Sequence, residues 1–209
     1  MRALAIGSVE RLAALQAGIG KRWHFQPWVW QGVLPPDLHQ YPVWVDTEAD
    51  ERPSPLLVLE KPYLLLLNAV KKPLRRLLPD PSWAEVSVGV NLLPGFCLRE
   101  VLEASALSDG AWQRLLAFEP QSLRSPDRIG MVSPRILCLV LNEALLLSGE
   151  AQLNLPVLDQ AVKLGLNYPR SISEWGELIG WRHVREVVEA LQTEYGAGVY
   201  PVAPTLFGM

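Results

Sequence analysis

The stretch GMVSPRILCLVLNEALLL, residues 130–147, decides how the chain is divided. From Val132 to Ser148 it is apolar almost all round, interrupted only by Asn142-Glu143, and that pattern reads as a buried helix rather than a surface one. No strand pattern recurs after Ser125-Pro126-Asp127. Upstream, the short apolar runs Ala3–Ile6, Pro42–Val45, Tyr63–Asn68 and Glu85–Asn91 alternate with helical spacing over Glu10–Gln16, Leu74–Leu78 and Gly110–Phe118. A βα alternation implies a mostly parallel sheet with helices on its faces. The expectation is therefore an α/β unit over 1–127 and an all-α unit over 128–209, with 130–147 at the centre of the second.

The helices that follow have readable ends. Pro156 suits a first turn, Asp159 complements a positive helix start, and Gly165 is placed to cap Val157–Leu164. Ser171 and Glu174 have capping-box spacing before Trp175, Leu178 and Ile179, and Gly180 stops that helix. Val184, Val187, Val188 and Leu191 repeat at helical spacing in a last long helix. The Pro-rich segment 31–55 is the least regular part of the chain and reads as loops.

Composition narrows the function classes. With 209 residues, 49% hydrophobic and 20% charged, the chain has enough apolar material for real cores. A formal charge of −3 provides no field to attract nucleic acid or an anionic membrane, so neither partner is expected. Cys97 and Cys138 lie in apolar contexts and read as buried thiols of a reducing compartment. The apolar stretch near the N-terminus is short for a signal sequence, and Glu60-Lys61 and Asn142-Glu143 break the two longest apolar spans, so the expected location is the cytoplasm. His24, His39 and His183 show no metal-ligand spacing, and His183 reads as a surface residue.

The runs 130–147 and LDQAVKLGLNYPRSISEWGELIGWRHV, 158–184, resemble the C-terminal helical domain of the 3-hydroxyacyl-CoA dehydrogenase family. The shared features are a Gly-hydrophobic-x-x-x-Arg helix with Asn-Glu-Ala, then Asp-x-Ala-hydrophobic-x-x-Gly, an Asn-Tyr-Pro turn and Glu-Trp. The likeness covers residues 128 to about 195, and the Ser-Pro-Arg version is most similar to the second copy of this domain in multi-domain members. It implies that residues 1–127 are a shortened Rossmann-like domain, and it brings with it NAD, acyl-CoA or CoA, and a homodimer formed through the helical domain.

Several positions depart from the family's chemistry. In ALAIGSVERL, 3–12, Gly7 sits at the first fingerprint glycine, but Val9 and Leu12 take the second and third positions. No acidic residue ends the next strand, Phe25–Trp30, to hold a ribose hydroxyl. NAD is therefore implied by the resemblance alone, and these residues argue against it. In VGVNLLPGF, 88–96, Asn91 stands where the family's catalytic His would be, and Asn takes no proton near neutral pH. Glu103 falls at the partner carboxylate, Asn68 survives from the family's Ser-Asn-Thr-Ser segment, Val70 replaces a substrate-contacting Ser, and Pro134 replaces a helix Asn.

Lys71, Lys72, Arg75 and Arg76 follow a strand's carboxyl end and are candidates for the phosphates of CoA, against the plainer reading of a solvated basic helix. Asn142 and Glu143 are expected to bond neighbours such as Arg135, and Trp175 and Trp181 to fill a core. Three functions follow: a degenerate family member that binds acyl-CoA without NAD-dependent catalysis, an active 3-hydroxyacyl-CoA dehydrogenase with a rebuilt site or an NAD-binding half from another chain, and a dimerising structural module of a fatty-acid oxidation assembly.

Overall fold

The computed structural model describes all residues from Met1 to Met209 and divides into two compact units, Met1–Val132 and Ser133–Met209. In the first, strands β1 (Arg2–Gly7), β2 (His24–Val29), β3 (Val43–Asp46), β4 (Leu64–Asn68), β5 (Ser87–Val90), β6 (Leu102–Ala106) and β7 (Ser122–Arg124) form one sheet in the order β2-β1-β3-β4-β5-β6-β7. All neighbours are parallel except β5 and β6. The central strands β3, β4 and β5 are buried throughout, as a sheet covered on both faces requires. Helices α1 (Val9–Ala17) and α3 (Asp109–Phe118) cover one face with Leu12, Leu15, Ala111 and Leu115. The opposite face packs Leu4, Ile6, Trp44, Leu65 and Leu67 against the one-turn helix α2 (Leu74–Leu77) and the irregular segments around Leu38, Leu56 and Trp83.

The four apolar runs expected to be strands are β1, β3, β4 and β5, and the three helical spacings are α1, α2 and α3. β6 and β7 were not foreseen. The first reads LEASA and the second is an exposed tripeptide, so neither carries an apolar alternation long enough to register. The connection from β2 to β3 holds only a 3-10 turn, Leu38–Gln40, and the sheet ends at β2, an exposed edge strand that tolerates Pro27. The segment after Asp127 stays with the sheet unit, because Gly130 N–H donates to Val70 O and Met131 enters the core. The chain therefore divides after Val132 rather than at 127/128.

The second unit contains α4 (Ser133–Ala151), α5 (Leu155–Gln160), α6 (Ile172–Ile179) and α7 (Trp181–Tyr195). α6 has the full capping box of Ser171 and Glu174 and stops at Gly180, which has a φ of 86° that favours glycine. On α7, Val184, Val187, Val188 and Leu191 are all buried.

Three expectations need correction here. α4 buries one face, with Leu137, Cys138, Leu141 and Leu145, but Ile136 is 59% exposed, so the helix is not buried all round. The helix expected over Val157–Leu164 gives way after Gln160 to a π turn, Ala161–Gly165, and the left-handed residue that follows is Asn167 rather than Gly165. His183 is 1% exposed, not on the surface, because it lies on the buried face of α7 beside Val184 and Val187.

Candidate functional site

β1 lies between β2 and β3, so the chain reverses its direction of travel across the sheet at the β1/β3 boundary, where open α/β sheets form a crevice at the strands' carboxyl ends. Gly7 ends β1 there, and a Cβ on it would stand 2.0 Å from Thr47 Oγ1. Ser8 caps α1, its side chain accepting from Arg11 N–H. The backbone N–H of Ser8, which points out of the helix start, donates to Glu48 Oε1 at 3.0 Å. Arg11 is buried, and its guanidinium donates to Thr47 O from Nε at 3.1 Å and also from Nη2. Asp46, at the end of β3, receives both terminal nitrogens of Arg52 at 3.1 Å, and that guanidinium lies over the Trp30 ring. Burial pushes the Asp46 carboxyl above its usual 3.8, against the opposing pull of Arg52 and its hydrogen bonds.

These residues do not fit a dinucleotide held in the usual way. A diphosphate needs the free N–H groups and positive end of α1, but Glu48 already places a carboxylate there. The facing loop carries the carboxylates Asp46, Glu48, Asp50 and Glu51, with Arg52 shared by Asp46 and Glu48 and Lys71 held by Glu51, and the Val9 side chain is exposed at the helix start. Leu12, at the third fingerprint position, is 4% exposed and belongs to the core beneath α1. Sequence reasoning found Gly7, Val9 and Leu12 but missed Arg11, Thr47 and Glu48, which carry no motif.

Further along the sheet's carboxyl edge, Asn91 and Glu103 are brought opposite one another, with Asn91 N–H donating to Glu103 O at 2.9 Å. The Asn91 side chain accepts from Leu93 N–H at 3.4 Å and so helps to turn its own loop. Glu103 Oε1 accepts from Val132 N–H at 2.6 Å, tying the end of the sheet unit to β6. Asn68 donates from Nδ2 to Asp50 Oδ1 at 2.8 Å and accepts from Leu92 N–H at 2.9 Å. Asp50 was also overlooked. It is buried, and its Oδ2 accepts from Val70 N–H at 2.9 Å and Lys71 N–H at 2.8 Å. Lys71, which is buried, places its ammonium on Glu51 at 2.7 Å, so this candidate for a phosphate is already held in an ion pair, while Lys72 and Arg75 are exposed. Pro134 lies in the first turn of α4, in the helical unit.

Within that unit Asn142 holds the C-terminal segment, donating to Pro201 O and accepting from Ala203 N–H, both at 2.8 Å. Arg135 turns to Tyr200, bonding its hydroxyl and stacking on the Tyr195 and Tyr200 rings, instead of approaching Asn142 or Glu143 as expected. Glu143 is exposed at the rim of a cavity of about 420 Å³ bounded by Val199 and Tyr200. Trp181 lies on Gly176, whose missing Cβ leaves room for the indole. Trp175 is largely buried, with Arg170 over its ring.

Residues 130–208 match the model of the 3-hydroxyacyl-CoA dehydrogenase C-terminal domain. A 3-hydroxyadipyl-CoA dehydrogenase of Escherichia coli K12 is 29% identical over 104 residues, 48% of this chain and 22% of that protein. A 3-hydroxybutyryl-CoA dehydrogenase of Clostridioides difficile is 35% identical over 80 residues, 38% of this chain and 28% of that protein. Both alignments thus span less than a third of the curated relatives' length. Among solved structures, FadB2 of M. tuberculosis superposes with a TM-score of 0.78 at 15% identity, covering 100% of this chain and 92% of that one. PaaH1, an (S)-3-hydroxybutyryl-CoA dehydrogenase from Ralstonia eutropha, gives 0.70 at 18% identity, with 100% and 93% covered. Those identities speak to fold alone, that of a Rossmann domain followed by a helical domain. The match over residues 130–208 identifies the helical unit with the 3-hydroxyacyl-CoA dehydrogenase C-terminal domain.

Proposed function

We propose that this protein is a non-redox member of the 3-hydroxyacyl-CoA dehydrogenase family in acyl-CoA metabolism, one that binds an acyl-CoA thioester without NAD-dependent hydride transfer. The observation that carries this reading is the Glu48 carboxylate on Ser8 N–H, which occupies the helix start that a dinucleotide diphosphate would need. Asn91 supports it independently: a positioned general base contributes about 10²–10⁴-fold in rate, and an amide turned to Leu93 N–H supplies none. The family relationship of the helical unit and the exposed Lys72 and Arg75 beyond β4 favour the acyl-CoA ligand. The buried free thiols Cys97 and Cys138 fit a reducing compartment, and the proposed location is the cytoplasm.

A thermal-shift comparison of acetoacetyl-CoA, free CoA, NAD⁺ and NADH tests the proposal. A ligand present at 100 times its Kd stabilises by about 2.7 kcal/mol. Acetoacetyl-CoA should raise the melting point, and NAD⁺ and NADH should leave it in place. A shift with NADH, joined by oxidation of 3-hydroxybutyryl-CoA, would establish instead a working dehydrogenase with a rebuilt site.

The alternative reading, a dimerising module without a small ligand, draws on the apolar groups that the helical unit leaves exposed, among them Ile136, Leu147, Val157, Leu164 and Leu166. A homodimer through that unit is part of both readings. Light scattering at micromolar concentration should show it, and a monomer there would remove the alternative.

A further inference from the structure

A second concavity lies at the opposite edge of the sheet from the β1/β3 crevice, at the amino ends of β1 and β2. It has a volume of about 730 Å³, and its walls include Arg2, Gln16, Lys21, His24, Phe25 and Tyr41. No carboxylate lines it, although the chain as a whole carries a net charge of −3. Neither Arg2 nor Lys21 is paired with an acid. The Arg2 guanidinium instead lies 5.5 Å from the centre of the Tyr41 ring. The neighbouring Arg22 is neutralised by Glu119 at 3.1 Å, so the unneutralised charge belongs to the concavity itself.

The walls are firmly held. Trp23 is 4% exposed, donates from Nε1 to Glu119 at 2.8 Å and packs on Phe118. The Phe25 ring lies directly on Gly20, where an added Cβ would come within 2.7 Å of it. A basic residue just beyond a helix complements the negative end of the helix dipole, and that explains Lys21 at the end of α1. It does not explain Arg2 and His24, which are contributed by two strands.

Cationic groups beside flat ring faces, with the Gln16 amide at the margin, have the chemistry that takes a phosphate joined to a planar heterocycle. We propose that this concavity binds a nucleoside phosphate, with Arg2 and Lys21 holding the phosphates and the base lying against Phe25 and Tyr41. The site is separate from the β1/β3 crevice.

The test is calorimetric titration of the full chain with ADP, pyrophosphate and adenosine. ADP should bind saturably, and each fragment should bind at least about tenfold more weakly, since ring and charge are held by different walls. Arg2→Gln combined with Lys21→Gln should weaken ADP by about tenfold or more with an unchanged circular dichroism spectrum, because both side chains are exposed. Lys163→Gln, which removes an exposed cation of the helical unit, should leave ADP affinity unchanged. Absence of saturable ADP binding, pyrophosphate binding as tightly as ADP, or indifference to the double variant would each overturn the proposal and reduce the cluster to a solvated basic rim. Because CoA and NAD⁺ each carry an ADP unit, the acetoacetyl-CoA and NAD⁺ thermal shifts are also read in the Arg2→Gln, Lys21→Gln double variant, where any shift that survives belongs to another site.

Discussion

Asp50→Asn is the substitution whose cost the structure defines most closely. The native carboxylate serves three donors: Asn68 Nδ2 on one oxygen, and the Val70 and Lys71 amides on the other. An asparagine amide has a single acceptor oxygen. If that oxygen takes the two backbone N–H groups, its NH₂ opposes Asn68 Nδ2. Turning Asn68 over would relieve that clash only by presenting an NH₂ to Leu92 N–H, which Asn68 Oδ1 now satisfies. A donor is orphaned in every arrangement, and the residue is only 2% exposed, so water cannot step in.

A hydrogen bond to a charged group is worth about 1.5–3 kcal/mol, and a buried unsatisfied donor costs about 1–3 kcal/mol. Removing the buried charge recovers part of its desolvation, which leaves an expected loss of about 2–3 kcal/mol. Urea unfolding followed by tryptophan fluorescence measures it on the sheet unit, which holds Trp23, Trp28, Trp30, Trp44, Trp83 and Trp112 of the chain's eight. Asn68→Ala should interact with it, the double variant costing less than the sum of the two. A loss under about 0.5 kcal/mol, the level of an ordinary surface change, or strict additivity would refute the frustrated-donor reasoning.

Asn91→His should leave NAD⁺-dependent oxidation of 3-hydroxybutyryl-CoA at background, because the α1 helix start still carries Glu48; NADH formation at a rate typical of relatives would show that one residue had silenced the site. Glu103→Gln keeps a carbonyl acceptor for Val132 N–H, so it should cost no more than about 1–2 kcal/mol of stability and change no rate, a pair of results readable by urea unfolding and by the same assay. The Cys97 thiol is pushed up to about 12, chiefly by burial, and Cys138 is fully buried; neither should react with a thiol reagent at pH 8 until the chain is unfolded, and rapid labelling of the native protein would contradict the packing. Asp46 holds its proton more tightly in the folded than in the unfolded chain, so its contribution to stability is fully present below about pH 3.8 and is lost as pH rises through the raised folded value. Unfolding free energies of Asp46→Asn should accordingly gain on the wild type as pH climbs from 4 towards 7, and a flat difference would argue that Arg52 fully offsets the burial.

The departures from the family pattern were legible from single positions, because Asn91, Val70 and Leu12 fall within a collinear resemblance, and an amide or alkyl group differs in chemistry from the groups that the resemblance implies there. The filling of the crevice was not legible: Glu48 reaches Ser8 across 40 positions of chain, and nothing in Asp-Thr-Glu-Ala-Asp-Glu marks which carboxylate meets which amide. The same division runs through the fold. Local periodicity and capping chemistry determined β1, β3, β4, β5, the Ser171 and Glu174 box and the stripe on α7, because each depends on residues within a few turns or one strand length. Tertiary structure alone decided that LEASA would be an antiparallel strand, that His183 would be buried, that Arg135 would choose Tyr200, and that Asp50 would become a junction of three donors. Those outcomes depend on which unpaired backbone and side-chain groups the packed sheet and helices bring within hydrogen-bonding distance, and buried polar groups must find partners wherever the fold supplies them.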